Sequence, residues 1–161
     1  MIPDITYRIA STASEFEDGK LLFREYVDSL DFELSFQDFA GELAIIDQQF
    51  NRPTGALLLA YHEGTPIGCS GVRRIDSPTA ELKRMYVRDA YKGQRVGVQL
   101  LERSIQAARD LGYQKIRLDT IDTMTRALAL YRSFGFYEIP AYRFNPLEGA
   151  VYMEKDLTHP A

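Results

Sequence analysis

Three short segments with strand character follow one another between residues 56 and 87, and this run constrains the fold more than any other part of the sequence. Ala56 to His62 and Pro66 to Ile75 are separated by Glu63-Gly64-Thr65, which is typical of a hairpin. A second turn, Asp76-Ser77-Pro78, leads into Thr79 to Val87. Consecutive strands joined by turns this short pair antiparallel. The sequence therefore predicts a three-stranded antiparallel meander in the middle of the chain.

Helical periodicity flanks the meander on both sides. The predicted helices are one entered at Ser11 to Ser14, one from about Phe36 to Gln48, one with apolar residues from Val98 to Leu111 that ends at Gly112, and one capped by Asp122 and ended by Gly135. The remaining predicted strands are Tyr7 to Ala10, Lys115 to Thr120, Phe136 to Ile139 and Ala150 to Leu157. The order β-α-α-β-β-β-α-β-α-β-β indicates an α/β fold with a mixed sheet and helices on both faces.

Size and charge narrow the class of protein. A chain of 161 residues, 45% of them hydrophobic, is expected to form one domain over residues 1–161. Its net charge of −4 and the lack of long runs of like charge argue against nucleic acid as a partner. No signal segment, no apolar run long enough for a membrane helix and no metal-ligand spacing is seen. We expect a cytoplasmic protein with no membrane partner and no metal.

The turn Lys92-Gly93-Gln94-Arg95-Val96-Gly97 lies between a predicted strand and an amphipathic helix. Such a turn presents unpaired backbone N–H groups and the positive end of the helix dipole to an anion, and phosphate fits best. Its glycines match neither the P-loop nor the three-glycine dinucleotide fingerprint. From these six residues alone, a phosphate site and an ordinary solvated connection are equally good interpretations.

Four consecutive segments around this turn resemble the motifs of the GNAT family of N-acetyltransferases in order and spacing. They are Glu81 to Val87, Lys92 to Gly97 followed by Leu100-Leu101, Leu118-Asp119-Thr120, and Ala127 to Phe136. The resemblance is strong from about Tyr61 to Phe136 and implies the GNAT acyl-CoA N-acyltransferase fold. In that fold a mostly antiparallel central sheet has splayed strands 4 and 5, and the pantetheine arm of acetyl-CoA, the cosubstrate, enters the gap between them.

The resemblance also implies which residues bind acetyl-CoA. They are Met85, Tyr86, Val87, Lys92, Gly93, Gln94, Arg95, Val96, Gly97, Val98, Met124, Ala127 and Tyr131. The pyrophosphate would lie on the N–H groups of Gln94 to Val98, and the Met85 N–H would stabilise the oxyanion of the tetrahedral intermediate. Three positions depart from the family pattern: Lys92 replaces arginine or glutamine, Arg95 replaces glycine, and Met124 replaces an asparagine that many relatives place against the cofactor. Arg95 is expected to have an unstrained backbone and to add a cation over the phosphates.

Acyl transfer to an amine needs a base for the ammonium and an acid for the departing thiolate. Tyr131 matches the family's tyrosine beside the cofactor sulfur and is the predicted general acid, although periodicity alone favours a core aromatic. Glu81 is the predicted base, directly or through a water, and shares its strand parity with Met85 unless a bulge intervenes. The alternative for Glu81 is a surface carboxylate paired with a basic neighbour.

The predicted function is transfer of the acetyl group to a primary amine of a small molecule or peptide by direct attack in a ternary complex. The N-terminal helices and the Pro140 to Gly149 loop are expected to select the amine. Tyr26, Phe32, Phe36, Tyr142 and Phe144 either line that pocket or belong to the core. The alternative functions are a non-catalytic acyl-CoA-binding sensor or interaction module and a nucleotide-binding regulator. A homodimer is compatible with the resemblance, but no apolar stripe marks an interface.

Overall fold

The structure, a computed structural model, describes residues 4–30 and 38–158. Its strands are β1 (Ile5–Ile9), β2 (Ala56–His62), β3 (Thr65–Asp76), β4 (Thr79–Val87), β5 (Lys115–Ile121), β6 (Tyr137–Ile139) and β7 (Ala150–Asp156). Its α-helices are α1 (Ala13–Ser29), α2 (Phe39–Ala44), α3 (Ile46–Gln49), α4 (Val96–Asp110) and α5 (Thr125–Ser133), and a 3₁₀ turn covers Asp89–Tyr91.

The seven strands form one mixed sheet in the order β1-β2-β3-β4-β5-β7-β6. The predicted meander β2-β3-β4 is confirmed, with both pairs antiparallel. β4 and β5 are parallel, because the chain crosses over through α4 between them, and every other neighbouring pair of this sheet is antiparallel. The last strand, β7, enters between β5 and β6 and so closes the second half of the sheet.

Both faces of the sheet are covered, which agrees with the predicted arrangement. Leu57 and Leu59 of β2 pack in a cluster with α1 and α3 on one side, which we call the front face. Leu58 and Ala60 pack in a cluster with α4 and α5 on the other side, the back face. Burial on both sides explains why β2 is a continuous apolar run rather than an alternating one. Among the described residues, no helix has the length and hydropathy needed to cross a membrane.

Local sequence signals account for three of the helix ends. A capping box begins α1, because Thr12 Oγ1 accepts from the Glu15 N–H at 3.1 Å while the Glu15 carboxylate accepts from the Thr12 N–H at 3.1 Å. Gly112 and Gly135 follow α4 and α5 with φ of +93° and +91°, as their predicted helix-ending roles require.

Two predicted helices differ from the structure. The second one divides at Ile45, whose φ of −121° and ψ of 25° are not helical, and the part before residue 38 lies outside the described residues. The predicted cap of the last helix is wrong, because α5 begins at Thr125 and its N-cap is Met124. The Asp122 N–H donates instead to the Gly149 carbonyl at 2.9 Å, so Asp122 ties the end of β5 to the loop before β7.

Candidate active site

β4 and β5 pair only at their beginnings. The parallel ladder joins Thr79 to Lys115, Ala80 to Ile116 and Glu81 to Arg117, and beyond it the two strands separate. A cavity of about 130 Å³ opens in the gap, which we call the cleft. It is lined by Tyr26, Leu30, Leu82, Lys83, Arg84, Met85, Leu118, Asp119, Thr120, Ile121, Met124, Ala127, Tyr131, Asn145 and Leu147. The splayed strands that the family resemblance implied are confirmed.

A β-bulge interrupts β4 beside the cleft. Cys69 of β3 faces Tyr86 and Gly71 faces Lys83, so Ser70 alone stands opposite both Arg84 and Met85. Arg84 has a φ of +57°, a left-handed conformation that costs an ordinary side chain about 1–2 kcal/mol. Because a bulge leaves its extra residue out of the ladder, backbone groups at Arg84 and Met85 become available to a ligand in the cleft.

The strained residue of the bulge is held by its side chain. The Arg84 guanidinium donates to both oxygens of Glu42 in α2, at 2.9 and 3.2 Å, and both side chains are almost fully buried. It also lies over the ring of Phe39, 5.3 Å from the centroid. This ion pair fastens α2 to β4, the strand that borders the cleft.

Glu81 is completely buried, so it is not the surface carboxylate that the alternative interpretation required. Its oxygens accept from Arg73 Nε at 2.9 Å, from Arg143 Nη2 at 2.5 Å and from the Tyr142 hydroxyl at 2.7 Å. Burial raises the pKa of Glu81, but the charges of Lys83, Arg73 and Arg143 outweigh it, and the net pKa is below the usual value. The bulge breaks the strand parity between Glu81 and Met85, so that part of the argument for a base is wrong.

A second carboxylate lies in the cleft itself. Asp119 on β5 lines the cavity and is partly exposed, and one of its oxygens accepts from Asn145 Nδ2 at 3.1 Å. Lys83 lines the cavity from the opposite strand. Asp119 belongs to the Leu118-Asp119-Thr120 segment, but the sequence did not predict a role for it, because nothing local says which strand carboxylate borders an opening.

Tyr131 of α5 also lines the cleft and is 8% exposed. Burial raises the pKa of its phenol, so the hydroxyl stays protonated across the range in which enzymes work. The core and site interpretations therefore both describe Tyr131: it packs within the back-face cluster beside Phe136 and also borders the cavity.

The turn before α4 follows the end of β4. The first helical residues Val96 to Val98 have no intrahelical acceptor for their N–H groups, and the N-cap Arg95 makes no side-chain cap hydrogen bond. The expectation of an unstrained backbone at Arg95 is wrong, because its φ is +63° and its ψ 18°. Lys92 Nζ lies 2.8 Å from a carboxylate oxygen of the exposed Asp89, which offsets part of its charge.

The structure brings only some of the predicted residues to the cleft wall. Of the expected cofactor-binding set, the cavity is lined by Met85, Met124, Ala127 and Tyr131. Tyr86 and Val87 continue β4 past the bulge, and residues 92–98 follow from the end of that strand.

The predicted acceptor aromatics also separate. Tyr26 lines the cleft, Tyr142 binds Glu81, and Phe144 is 78% exposed on the loop. Phe32 and Phe36 lie outside the described residues.

Known proteins share this sequence and this fold. The sequence profile of the Acetyltransferase (GNAT) family matches residues 20–136. An N-acetyltransferase of Schizosaccharomyces pombe is 36% identical over 157 residues, which cover 96% of this chain and 96% of that protein. The identity extends well beyond the middle of the chain.

Solved structures agree with the fold at low sequence identity. A GNAT-family acetyltransferase of Staphylococcus aureus superposes with a TM-score of 0.77 at 22% identity, over 96% of this chain and 100% of that one. The YncA protein of Salmonella typhimurium, solved with its cofactor acetyl-CoA, gives a TM-score of 0.75 at 20% identity, over 98% and 96% of the two chains. Together with the profile match and the parted strands, these likenesses show that the chain belongs to the GNAT family of acetyl-CoA-dependent N-acetyltransferases.

Proposed function

We propose that the enzyme transfers acetyl from acetyl-CoA to a primary amine of a small molecule or peptide, by direct attack within a ternary complex. The observation that carries this proposal is the cleft between β4 and β5, where a bulge at Arg84 and Met85 and the phenol of Tyr131 border one cavity. Beyond Glu81 and Arg117, β4 and β5 no longer pair with each other, so their facing edges are open. An extended pantetheine arm therefore adds to β4 at Met85 to Val87 as a peptide adds to a sheet edge.

The pyrophosphate is assigned to the start of α4, on the N–H groups from Gln94 to Val98. The open N–H groups and the positive helix end support this assignment. Gly93 supports the turn because its φ is +85°, and Lys92 and Arg95 add positive charge.

Three residues serve as oxyanion donor, general acid and general base in the transfer. The Met85 N–H donates to the thioester oxygen as it becomes an oxyanion, and the bulge supports this role by releasing that part of β4 from its ladder. Tyr131, whose raised pKa keeps its phenol protonated, gives a proton to the departing thiolate. Asp119 accepts the proton of the amine, because it borders the cavity, whereas Glu81 is held by two guanidinium groups and a phenol.

The acceptor enters from the front face in this proposal. Tyr26 of α1, Leu30 just after that helix, and the loop residues Asn145 and Leu147 line the cleft on that side. The loop is fixed across the opening, since Tyr142 binds Glu81 and Asn145 binds Asp119. The size of the amine is therefore set by α1 and by residues 140–149.

Release of CoA thiol from acetyl-CoA, measured against a broad panel of amines, tests this function. With the best amine, we expect Tyr131→Phe to lower kcat by about 100-fold or more while acetyl-CoA still binds. Tyr113→Phe is the matched control, because Tyr113 is equally buried but donates to the Thr54 carbonyl away from the cleft. If Tyr131→Phe and wild type turn over equally fast, Tyr131 is not the general acid. If none of the amines on the panel supports thiol release, the proposed acceptor class is wrong.

A further inference from the structure

The cleft contains an amine of the protein itself. Lys83 lies on β4 between Glu81 and the bulge, is 5% exposed, and lines the same cavity as Met85 and Tyr131. Only the bulged Arg84 separates it from Met85 in the chain, and both residues border the cleft. Because these residues line a single cavity of about 130 Å³, the Lys83 side chain shares that space with the thioester of the proposed function.

The surroundings of Lys83 favour the neutral amine more than solvent does. Burial lowers its pKa to about 8, with Arg84 and Arg73 acting in the same direction and the carboxylates of Glu81 and Asp119 opposing them. At neutral pH about a tenth of such an amine is uncharged, compared with less than about a thousandth of an exposed lysine. A neutral amine is the form that attacks a thioester.

We propose that Lys83 is a self-acetylation site, at which its Nζ takes the acetyl group from acetyl-CoA bound in the same molecule. The inference rests on the proposed function, because it needs the thioester to lie in the cleft between β4 and β5. It differs from that function in the acceptor, which here is a side chain already within the cavity, so the reaction needs acetyl-CoA but no amine from solution.

The reaction is balanced without a further reagent. The Lys83 ammonium first loses a proton, which Asp119 passes to solvent, and the neutral Nζ then forms a bond to the thioester carbon. The C–S bond breaks, the thiolate receives a proton from Tyr131, and the second proton of the attacking nitrogen restores the phenol. The products are an Nε-acetyl-lysine, CoA thiol and one proton. The modified side chain loses its charge and occupies part of the cleft.

The full chain, purified after chemical or enzymatic deacetylation, is incubated with isotopically labelled acetyl-CoA and no amine, and its peptides are mapped by mass spectrometry. We expect label at Lys83 at least about tenfold faster than at Lys155, at a rate per molecule independent of protein concentration. Lys155 is the matched internal control, because it is also buried with a lowered pKa but contacts the Phe134 carbonyl away from the cleft. Lys83→Arg should abolish label at this position, and Tyr131→Phe should slow it.

Three results would overturn the proposal: no label at Lys83, equal labelling of Lys83 and Lys155, or labelling that a non-reactive CoA thioether fails to block. The proposed function is judged separately by amine-dependent thiol release. Turnover of amines without label at Lys83 removes only the self-acetylation. Label at Lys83 in a protein that turns over no amine leaves self-acetylation standing and removes the external acceptor.

Discussion

At the scale of single residues, two carboxylates near the cleft have different surroundings. Asp119 borders the cavity, and one of its oxygens accepts a hydrogen bond from Asn145. Glu81 is instead enclosed by Arg73, Arg143 and Tyr142. A base must exchange protons with a substrate, and a carboxylate with a lowered pKa and occupied oxygens does so poorly. Glu81 therefore serves better as the counter-ion that holds β3, β4 and the 140–149 loop together.

We predict that Asp119→Asn and Glu81→Gln have opposite profiles. Asp119→Asn should lower kcat by about 100-fold or more with little change in melting temperature, because the amide keeps an acceptor for Asn145. Glu81→Gln should lower the free energy of unfolding by about 3 kcal/mol, because it removes the buried charge that pairs with the partly buried Arg73 and Arg143. Thiol release below the melting temperature and urea denaturation measure the two effects. A folded Glu81→Gln enzyme with the larger loss of kcat would restore Glu81 as the base.

At the scale of elements, the connection from β4 to α4 keeps a glycine-like conformation at a residue that is not glycine. Arg95 has a φ of +63°, which explains why the family favours glycine at this position. Gly97, by contrast, has room for a side chain, since a Cβ there would meet only Val87 Cγ2 at 3.9 Å. The protein itself therefore gives a backbone reason for glycine at Arg95 and no steric reason for it at Gly97, where we propose that the pyrophosphate approaches.

We predict that Gly97→Asp weakens CoA binding more than Arg95→Gly does. The aspartate places a negative charge where the pyrophosphate is assigned, while the glycine removes one cation and leaves the N–H groups in place. Arg95→Gly should also raise the free energy of unfolding by about 0.5–1 kcal/mol through relief of the left-handed strain. Calorimetry measures the CoA affinity, and urea denaturation measures the free energy of unfolding. Gly97→Ala separates the effect of side-chain size from that of the negative charge. The opposite ranking of affinities would identify Arg95 as the main phosphate anchor.

At the scale of the whole molecule, the sequence was most informative where structure depends on neighbours in the chain. The meander, the helix entry within Ser11 to Ser14, and the glycines that end α4 and α5 were all predictable from local patterns. The family motifs added the splay of β4 and β5. The site was less predictable, because the contacts of Glu81, the pairing of Arg84 with Glu42 and the position of Asp119 depend on residues far apart in sequence. Periodicity also missed the bulge, which changes the register of β4.

Buried and partly buried carboxylates join distant parts of the fold. Glu25 accepts from Arg88 at 2.8 and 2.6 Å and so links α1 to the end of β4, and Glu154 accepts from Arg117 and Tyr137 across β5, β7 and β6. The pKa of Glu25 is lowered mainly by its hydrogen bonds from Arg88, and that of Glu154 is lowered by Tyr137 and Arg117 against the effect of burial. Glu81 is a third carboxylate of this kind.

We predict that the molecule loses stability on acidification because of these carboxylates. A glutamate whose folded pKa lies below the unfolded value of about 4.3 contributes stability above that pH and loses it as pH falls through the folded pKa. The free energy of unfolding from urea titrations should therefore fall steadily between about pH 5 and about pH 3. Glu25→Gln should flatten this dependence, whereas Glu102→Gln, at an exposed position on α4, should leave it unchanged. An equally steep fall in Glu25→Gln and wild type would mean that the Glu25–Arg88 pair contributes nothing to acid sensitivity.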